Sequence, residues 1–272
     1  MTASLEIVAP VIAGWLETAK PLIVGICGAQ GSGKSTLSRH LAEYFEDRGV
    51  RVAVLSLDDL YLSREARGRL ADSVSPMFAT RGVPGTHDVT LGETVLDALK
   101  ARQPVHLPRF DKASDQPAPE SEWPLADGAD LILFEGWCVG ATPQADYELR
   151  EPVNDLEANL DAQGIWRRHV NDALKGPYRR LFGRIDRLIL LAAPDFAVVA
   201  DWRTQAEHEL RDRLKREGTT GARVMSNGEV ARFVLHYQRL TQAILREMPG
   251  SADLTLRLDA WRRVVSQVPP AG

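Results

Sequence analysis

The chain has 272 residues, 44% of them hydrophobic and 26% charged, with a formal net charge of −4. That length suits one large α/β domain with its own core, expected to take in residues 1–272. The slight acidic excess offers no global field for nucleic acid or an anionic membrane surface.

Taken in chain order, the first expected element is an amphipathic helix over about residues 4–18. Leu5, Val8, Ile12, Trp15 and Leu16 recur at helical spacing, while Glu6, Glu17 and Lys20 interrupt any secretory-type run. No stretch approaches the apolar length of a bilayer span. An apolar strand, 22–27, comes next. It leads into Gly28-Ala29-Gln30-Gly31-Ser32-Gly33-Lys34-Ser35, of the form G-x-x-x-x-G-K-S, and then a helix over 36–48 stopped by Gly49. Strand before and helix after are the context a phosphate-gripping loop requires. The glycines let the backbone from Gly28 to Thr36 curl so that its N–H groups point at phosphate oxygens. Lys34 adds a point charge, and Ser35 a hydroxyl for Mg²⁺.

Further strands are expected at 52–57, 105–108, 131–135 and 187–192, with 253–258 as a possible addition. Their nearly continuous Val, Ile and Leu runs suit strands covered on both faces. The expected fold class is α/β, a doubly wound, mainly parallel five-stranded sheet flanked by helices. Thr90 and Glu93 have capping-box spacing and open a helix through Lys100. Ser226 and Glu229 repeat it before the stripe Val230, Phe233, Val234, Tyr237, Leu240, Ile244. Residues 112–124 and 142–154 read as exposed excursions. Cys27 and Cys138, each within or just past an apolar strand and without C-x-x-C spacing, read as small buried residues of a reducing, cytoplasmic compartment.

Ligands of open parallel sheets gather at the carboxyl ends of the strands. Strand 52–57 runs into Asp58-Asp59-Leu60-Tyr61 and strand 131–135 ends in Glu135-Gly136-Trp137, so both bring acids to the edge that carries the phosphate loop. In an extended chain Asp58 and Asp59 point in opposite directions, and at most one faces the transferred phosphate. Glu135 stands where a carboxylate acts on Mg²⁺ through water. Helix capping or plain solvation is the alternative for either acid alone. Arg81, His87 and Asp88 share a loop suited to a small hydroxylated anion. The alternative makes Asp88 a helix cap and His87 a surface residue. Arg109, Asp111 and Lys112 line the same pocket, or Lys112 is a solvated charge, and Phe110 reads as packing. Arg203, Glu207, Arg211 and Lys215, after Asp195, recur as an exposed salt-bridged face. Asn171, near Trp166 and Arg168, touches substrate or lies on helix surface. The pairs Arg167-Arg168 and Arg179-Arg180 read as solvated surface or an anion pocket.

Leu57-Asp58-Asp59-Leu60-Tyr61 resembles the D-x-F-Y type segment of the uridine kinase, phosphoribulokinase and pantothenate kinase group. There the first Asp activates the acceptor, which by position implies Asp58. The wider chain is similar to the D-glycerate 3-kinase branch of that group. The resemblance lies in Arg81-Gly82-Val83-Pro84-Gly85-Thr86-His87-Asp88, Pro108-Arg109-Phe110-Asp111-Lys112, Phe134-Glu135-Gly136-Trp137, Glu151-Pro152-Val153-Asn154-Asp155-Leu156-Glu157 and Trp202-Arg203-Thr204-Gln205-Ala206-Glu207. After the Phe-Asp-Lys segment, plant glycerate kinases carry Gly-x-Gly-Asp-Arg. Here the chain reads Ala113-Ser114-Asp115-Gln116-Pro117, like bacterial and fungal members.

The resemblance implies a P-loop small-molecule kinase using ATP and Mg²⁺, with Lys34, Asp58, Glu135 and Arg203 in catalysis and Ser35 and Glu135 at the metal. Arg203 belongs to a helical lid over about 195–217. The acceptor implied is a hydroxy acid, D-glycerate, held by Asp58, Tyr61, Arg81, His87, Asp88 and Arg109. Another acceptor (pantothenate, a nucleoside or a sugar phosphate) is the alternative, and a regulatory P-loop NTPase a further one. No nucleic-acid or membrane partner is expected, and the chain is read as a monomer or homodimer.

Overall fold

The structure is a computed structural model describing residues 3–216 and 225–268, with the side chains of Glu207 and residues 209–216 outside the description. The expected charged face of Glu207, Arg211 and Lys215 therefore lies outside the described side chains, and residue 217 of the expected lid outside the described residues. Helix α1 (Ala3–Thr18) buries Leu5, Val8, Ala9, Ile12 and Leu16, as the spacing predicts. Then come β1 (Leu22–Gly28), α2 (Lys34–Glu46), β2 (Val52–Ser56), α3 (Arg64–Ser73) and α4 (Val89–Lys100). Four short strands and a long one follow, β3 (Pro104–His106), β4 (Phe110–Asp111), β5 (Gln116–Pro117), β6 (Leu125–Asp127) and β7 (Leu131–Gly136). The remainder is α5 (Asp155–Leu160), α6 (Ile165–Lys175), α7 (Pro177–Phe182), β8 (Arg187–Ala192), α8 (Phe196–Arg216), α9 (Asn227–Glu247), β9 (Leu254–Leu258) and β10 (Val264–Val268). No helix among the described residues is long and apolar enough to cross a membrane.

The main sheet runs β10-β9-β8-β1-β7-β2. All its pairings are parallel except that of the edge strand β10 with β9. Every residue of β1 and β7 is buried, which their unbroken apolar runs demand. Successive side chains point to opposite faces, so the strands feed two cores. Ile23, Cys27, Ile132 and Phe134 join Leu96, Tyr178, Leu181, Tyr237 and Leu240 in the core beneath α4, α7 and α9. Leu22, Val24, Ile26, Leu131 and Leu133 join Ile12, Leu37, Leu41, Val199 and Trp202 beneath α1, α2 and α8. Both cysteines are buried and free. From β1 the chain crosses to β2 on one side of β7, and from β7 to β8 on the other side of β1. The crevice between the carboxyl ends of β1 and β7 is thus the switch point where ligands bind in such sheets.

Several expectations are corrected. Residues 105–108 give no strand of the main sheet. Pro104–His106 pairs antiparallel with β6, and the exposure of Pro104 and His106 shows why so short an apolar stretch cannot be covered on both faces. The fifth parallel strand is β9. Thr90 is not the cap of α4: Asp88 Oδ1 accepts from Leu91 N at 2.9 Å and the helix begins at Val89. The Ser226–Glu229 capping box does form. Residues 57–60 form a 3₁₀ turn rather than extended chain, with Ser56 Oγ accepting from Asp58 N. Loop 142–154 is not wholly exposed, since Gln144 and Leu149 are buried. Arg167 is likewise buried, donating to Asp161 and to the Leu149 and Arg150 carbonyls.

Candidate active site

The phosphate loop leaves β1 at Gly28 and enters α2 at Lys34, so the first turn of that helix opens onto the switch point with its backbone N–H groups unspent. Gly31 has φ +79°, and a Cβ there would stand 2.7 Å from Trp202 Cβ; only glycine lets α8 approach the loop so closely. A cavity of about 390 Å³ lies against the loop, lined by Gly31, Gly33, Lys34, Ser35, Thr36, Ala206 and Arg262.

Across the crevice β7 delivers Glu135, which is 4% exposed. Its Oε1 accepts from Ser35 Oγ at 2.8 Å and Ser56 Oγ at 3.0 Å, and its Oε2 lies 4.0 Å from Lys34 Nζ. Oε2 is buried without a hydrogen-bond partner among the described residues. A buried carboxylate oxygen left open beside a serine hydroxyl is an arrangement that a hydrated Mg²⁺ would complete. No cluster of three His, Cys, Asp or Glu side chains is present among the described residues, so such an ion would depend on nucleotide oxygens for its other ligands.

Asp58, at the end of β2, accepts from Tyr61 Oη and Lys112 Nζ, each at 2.7 Å. Burial pushes its pKa up, but the Lys112 and Lys34 ammoniums and the two hydrogen bonds outweigh burial and hold it well below the usual carboxylate range. Lys112, although more than half exposed, is therefore an ion-pair partner of Asp58. Asp59 diverges, accepting from Phe110 N at 3.1 Å and pairing with Arg109 at 3.5 Å. Burial raises the Asp59 pKa against those contacts. Phe110 packs edge-on to Tyr61, as expected of a packing residue.

The loop 81–88 lies beside Asp58. At Gly82 φ is +132°, and a Cβ would fall 2.0 Å from Tyr237 Oη. Trp137 Nε1 donates to the Gly82 carbonyl and Tyr237 Oη to that of Arg81. The His87 ring stacks on Tyr61 with centroids 4.7 Å apart. Gly85 N donates to Tyr178 Oη at 3.0 Å, which leaves the phenol proton for His87 Nδ1 at 2.5 Å. That order puts the imidazole proton on Nε2, a buried atom with no hydrogen-bond partner among the described residues. Burial draws the His87 pKa down to about 3, with Asp58 opposing it, so the ring is neutral. Arg81 pairs with Asp115, which also binds the buried Arg67. Asp88 is held as the cap of α4. Asn171 does not lie on helix surface; it is buried and bridges both backbone groups of Gln144. Arg203, on α8, has its guanidinium carbon 5.7 Å from the Phe233 ring centre. Burial raises the Tyr237 phenol above its ordinary value, with Asp58 adding to this and Arg203 and Arg81 opposing it.

Sequence reasoning missed Ser56, Tyr178, Asp115 and Arg262. Ser56, two residues before Asp58, carried the nearest thing to a signal.

Against known proteins, the profile described as methylmalonyl Co-A mutase-associated GTPase MeaB matches residues 11–64, the stretch that holds the phosphate loop. The chain is 34% identical over 251 residues to the uncharacterized kinase mug58 of Schizosaccharomyces pombe, covering 86% of this chain and 87% of that one. It is 30% identical over 248 residues to the chloroplastic D-glycerate 3-kinase of Arabidopsis thaliana, covering 86% of this chain but 50% of that longer protein. The solved D-glycerate 3-kinase of Cryptococcus neoformans superposes with a TM-score of 0.81 at 25% identity, over 99% of this chain and all of that one. The chain belongs to the D-glycerate 3-kinase-like branch of the P-loop kinases.

Proposed function

We propose that this kinase transfers the γ-phosphoryl group of Mg-ATP to a hydroxyl of D-glycerate. The observation that carries the reading is the meeting of Asp58, Lys112 and Tyr61 beside a complete phosphate loop and the Ser35–Glu135 pair. The loop amides and Lys34 would bind the β- and γ-phosphates. Ser35 and, through water, Glu135 would hold Mg²⁺, which supplies charge neutralisation between the phosphates when bound.

The acceptor oxygen attacks the γ-phosphorus, the bond to the β,γ-bridging oxygen breaks, ADP departs, and the hydroxyl proton passes to an Asp58 oxygen. A carboxylate so acidic is a weak base. Its part is first to align the hydroxyl and then to take the proton late, as a loose phosphoryl-transfer transition state allows. Lys112 and Arg81 stand where an acceptor carboxylate could exchange for Asp58 and Asp115 as their counter-charge. His87 Nε2–H is an unspent donor for an acceptor oxygen. Arg203 would shield charge on the moving phosphoryl.

A coupled ADP-release screen over D-glycerate, L-glycerate, pantothenate, uridine and ribulose 5-phosphate, with mass analysis of the product, tests the reading. D-glycerate is expected to give the highest kcat/KM; preference for pantothenate or uridine would overturn the acceptor, and ADP release indifferent to every alcohol would overturn the transfer.

A further inference from the structure

We infer that Arg262, at the turn between β9 and β10, is a nucleotide-binding residue whose guanidinium contacts the triphosphate and ties the lid helix to the phosphate loop. The inference rests on the reading of the loop as an ATP site. Arg262 is the sole cavity-lining residue contributed by the carboxyl-terminal hairpin, and it faces the same space as Gly33, Lys34 and Thr36. Its Nε donates to the Gly31 carbonyl at 2.5 Å and its Nη1 to Gln205 Oε1, on α8, at 3.0 Å. Its guanidinium carbon lies 5.2 Å from the centre of the Trp202 ring. One side chain thus grips both walls of the cavity.

The backbone is bent to this purpose. Arg262 has φ +65°, where L side chains rarely sit. The turn imposes that conformation: Asp259 Oδ1 accepts from Trp261 N and Arg263 N, both at 2.9 Å, its Oδ2 accepts from Arg263 Nε at 2.7 Å, and Arg262 N donates to the Asp259 carbonyl. Backbone held in a sparsely populated region by so many bonds is characteristic of ligand clamps. Asp259 is engaged with Arg263, and among the described residues no carboxylate pairs with Arg262 and no atom accepts from its Nη2. A planar cation with N–H groups left over, set against a cavity walled by amides and an ammonium, matches phosphate oxygens.

Titration calorimetry with Mg-ATP and with Mg-tripolyphosphate, which lacks base and ribose, tests this on the wild type, Arg262→Asn and Arg262→Lys. Asparagine tolerates the left-handed backbone, so the melting temperature serves as a check that the turn survives. Arg262→Asn is expected to weaken both ligands by about 10-fold or more, the loss of a charge-assisted hydrogen bond, with Arg262→Lys recovering part of it. The KM for acceptor at saturating ATP should stay unchanged. Equal affinities in Arg262→Asn and wild type would overturn the inference and leave a structural strut. Weakening of ATP alone would overturn the phosphate contact in favour of the nucleoside. A wild type that binds neither ligand would overturn the nucleotide reading and this inference together.

Discussion

At Asp58 two ammonium groups and a phenol outweigh burial, and the carboxylate stays ionised through the neutral and mildly acidic range. Asp58→Asn should therefore lower kcat by about 10²- to 10⁴-fold, the usual contribution of a positioned base, in a chain that still folds but melts lower, since a carboxylate held below its ordinary range contributes stability at neutral pH. Lys112→Met removes the nearest cation, so the Asp58 pKa should rise and the acid limb of kcat/KM move to higher pH; a limb that does not move would take Lys112 out of the site. His87 presents the opposite sign problem. Its folded pKa is depressed to about 3 from an ordinary 6.5, so the unfolded chain takes up the proton first as pH falls. Stability is whole above 6.5 and declines below it by about 1.4 kcal/mol per pH unit on this account. Urea unfolding from pH 7 to 4 should show wild type losing ground against His87→Gln, and a constant difference would refute the neutral assignment. Asp58 and Glu135 were legible in the sequence because an acid at the end of a buried strand must arrive at the edge where the phosphate loop sits. The partners were not legible. Tyr178 meets His87 across 91 residues and Arg262 meets Gly31 across 231, and no local pattern encodes such pairings.

Among the elements, α4 shows how one oxygen outbids another. Asp88 and Thr90 both stand at the helix entrance, and the carboxylate, a full charge at the positive end of the helix, takes the Leu91 amide. Asp88→Ala should cost about 1 kcal/mol, read in thermal unfolding, while Asp88→Asn keeps the cap and most of the stability. A rise in acceptor KM in Asp88→Asn at unchanged melting temperature would instead return Asp88 to the substrate. The central strands and α1, α2 and α9 could be read directly from apolar periodicity, since each must bury a continuous face. The strand 105–108 could not be placed, because three residues alternating exposed and half-buried fit an isolated hairpin as well as a sheet. The turn at 57–60 was hidden for a similar reason: Ser56 closes it with a side-chain bond that strand periodicity does not register.

For the molecule as a whole, the tie between Arg239 and Glu157 is a buried ion pair that links distant parts of the chain. Glu157 is fully buried and accepts two guanidinium bonds at 2.8 and 2.6 Å, while the same Arg239 donates to the Glu148 and Glu151 carbonyls. It fastens α9 to α5 and to the stretch before it. Glu157→Gln strands a buried cation and should lower unfolding stability by about 3–5 kcal/mol in urea, whereas joint replacement of both partners by apolar residues should recover most of it. Alternation along β1 and β7 sends odd and even positions to separate cores, the loop 81–88 resting on one through Val83, and α2 and α8, which border the phosphate loop, on the other. On the proposed function, each co-substrate would have its own half of the protein. A lineage built this way can trade one alcohol for another by rewriting a single side, without relearning how to hold its phosphate donor.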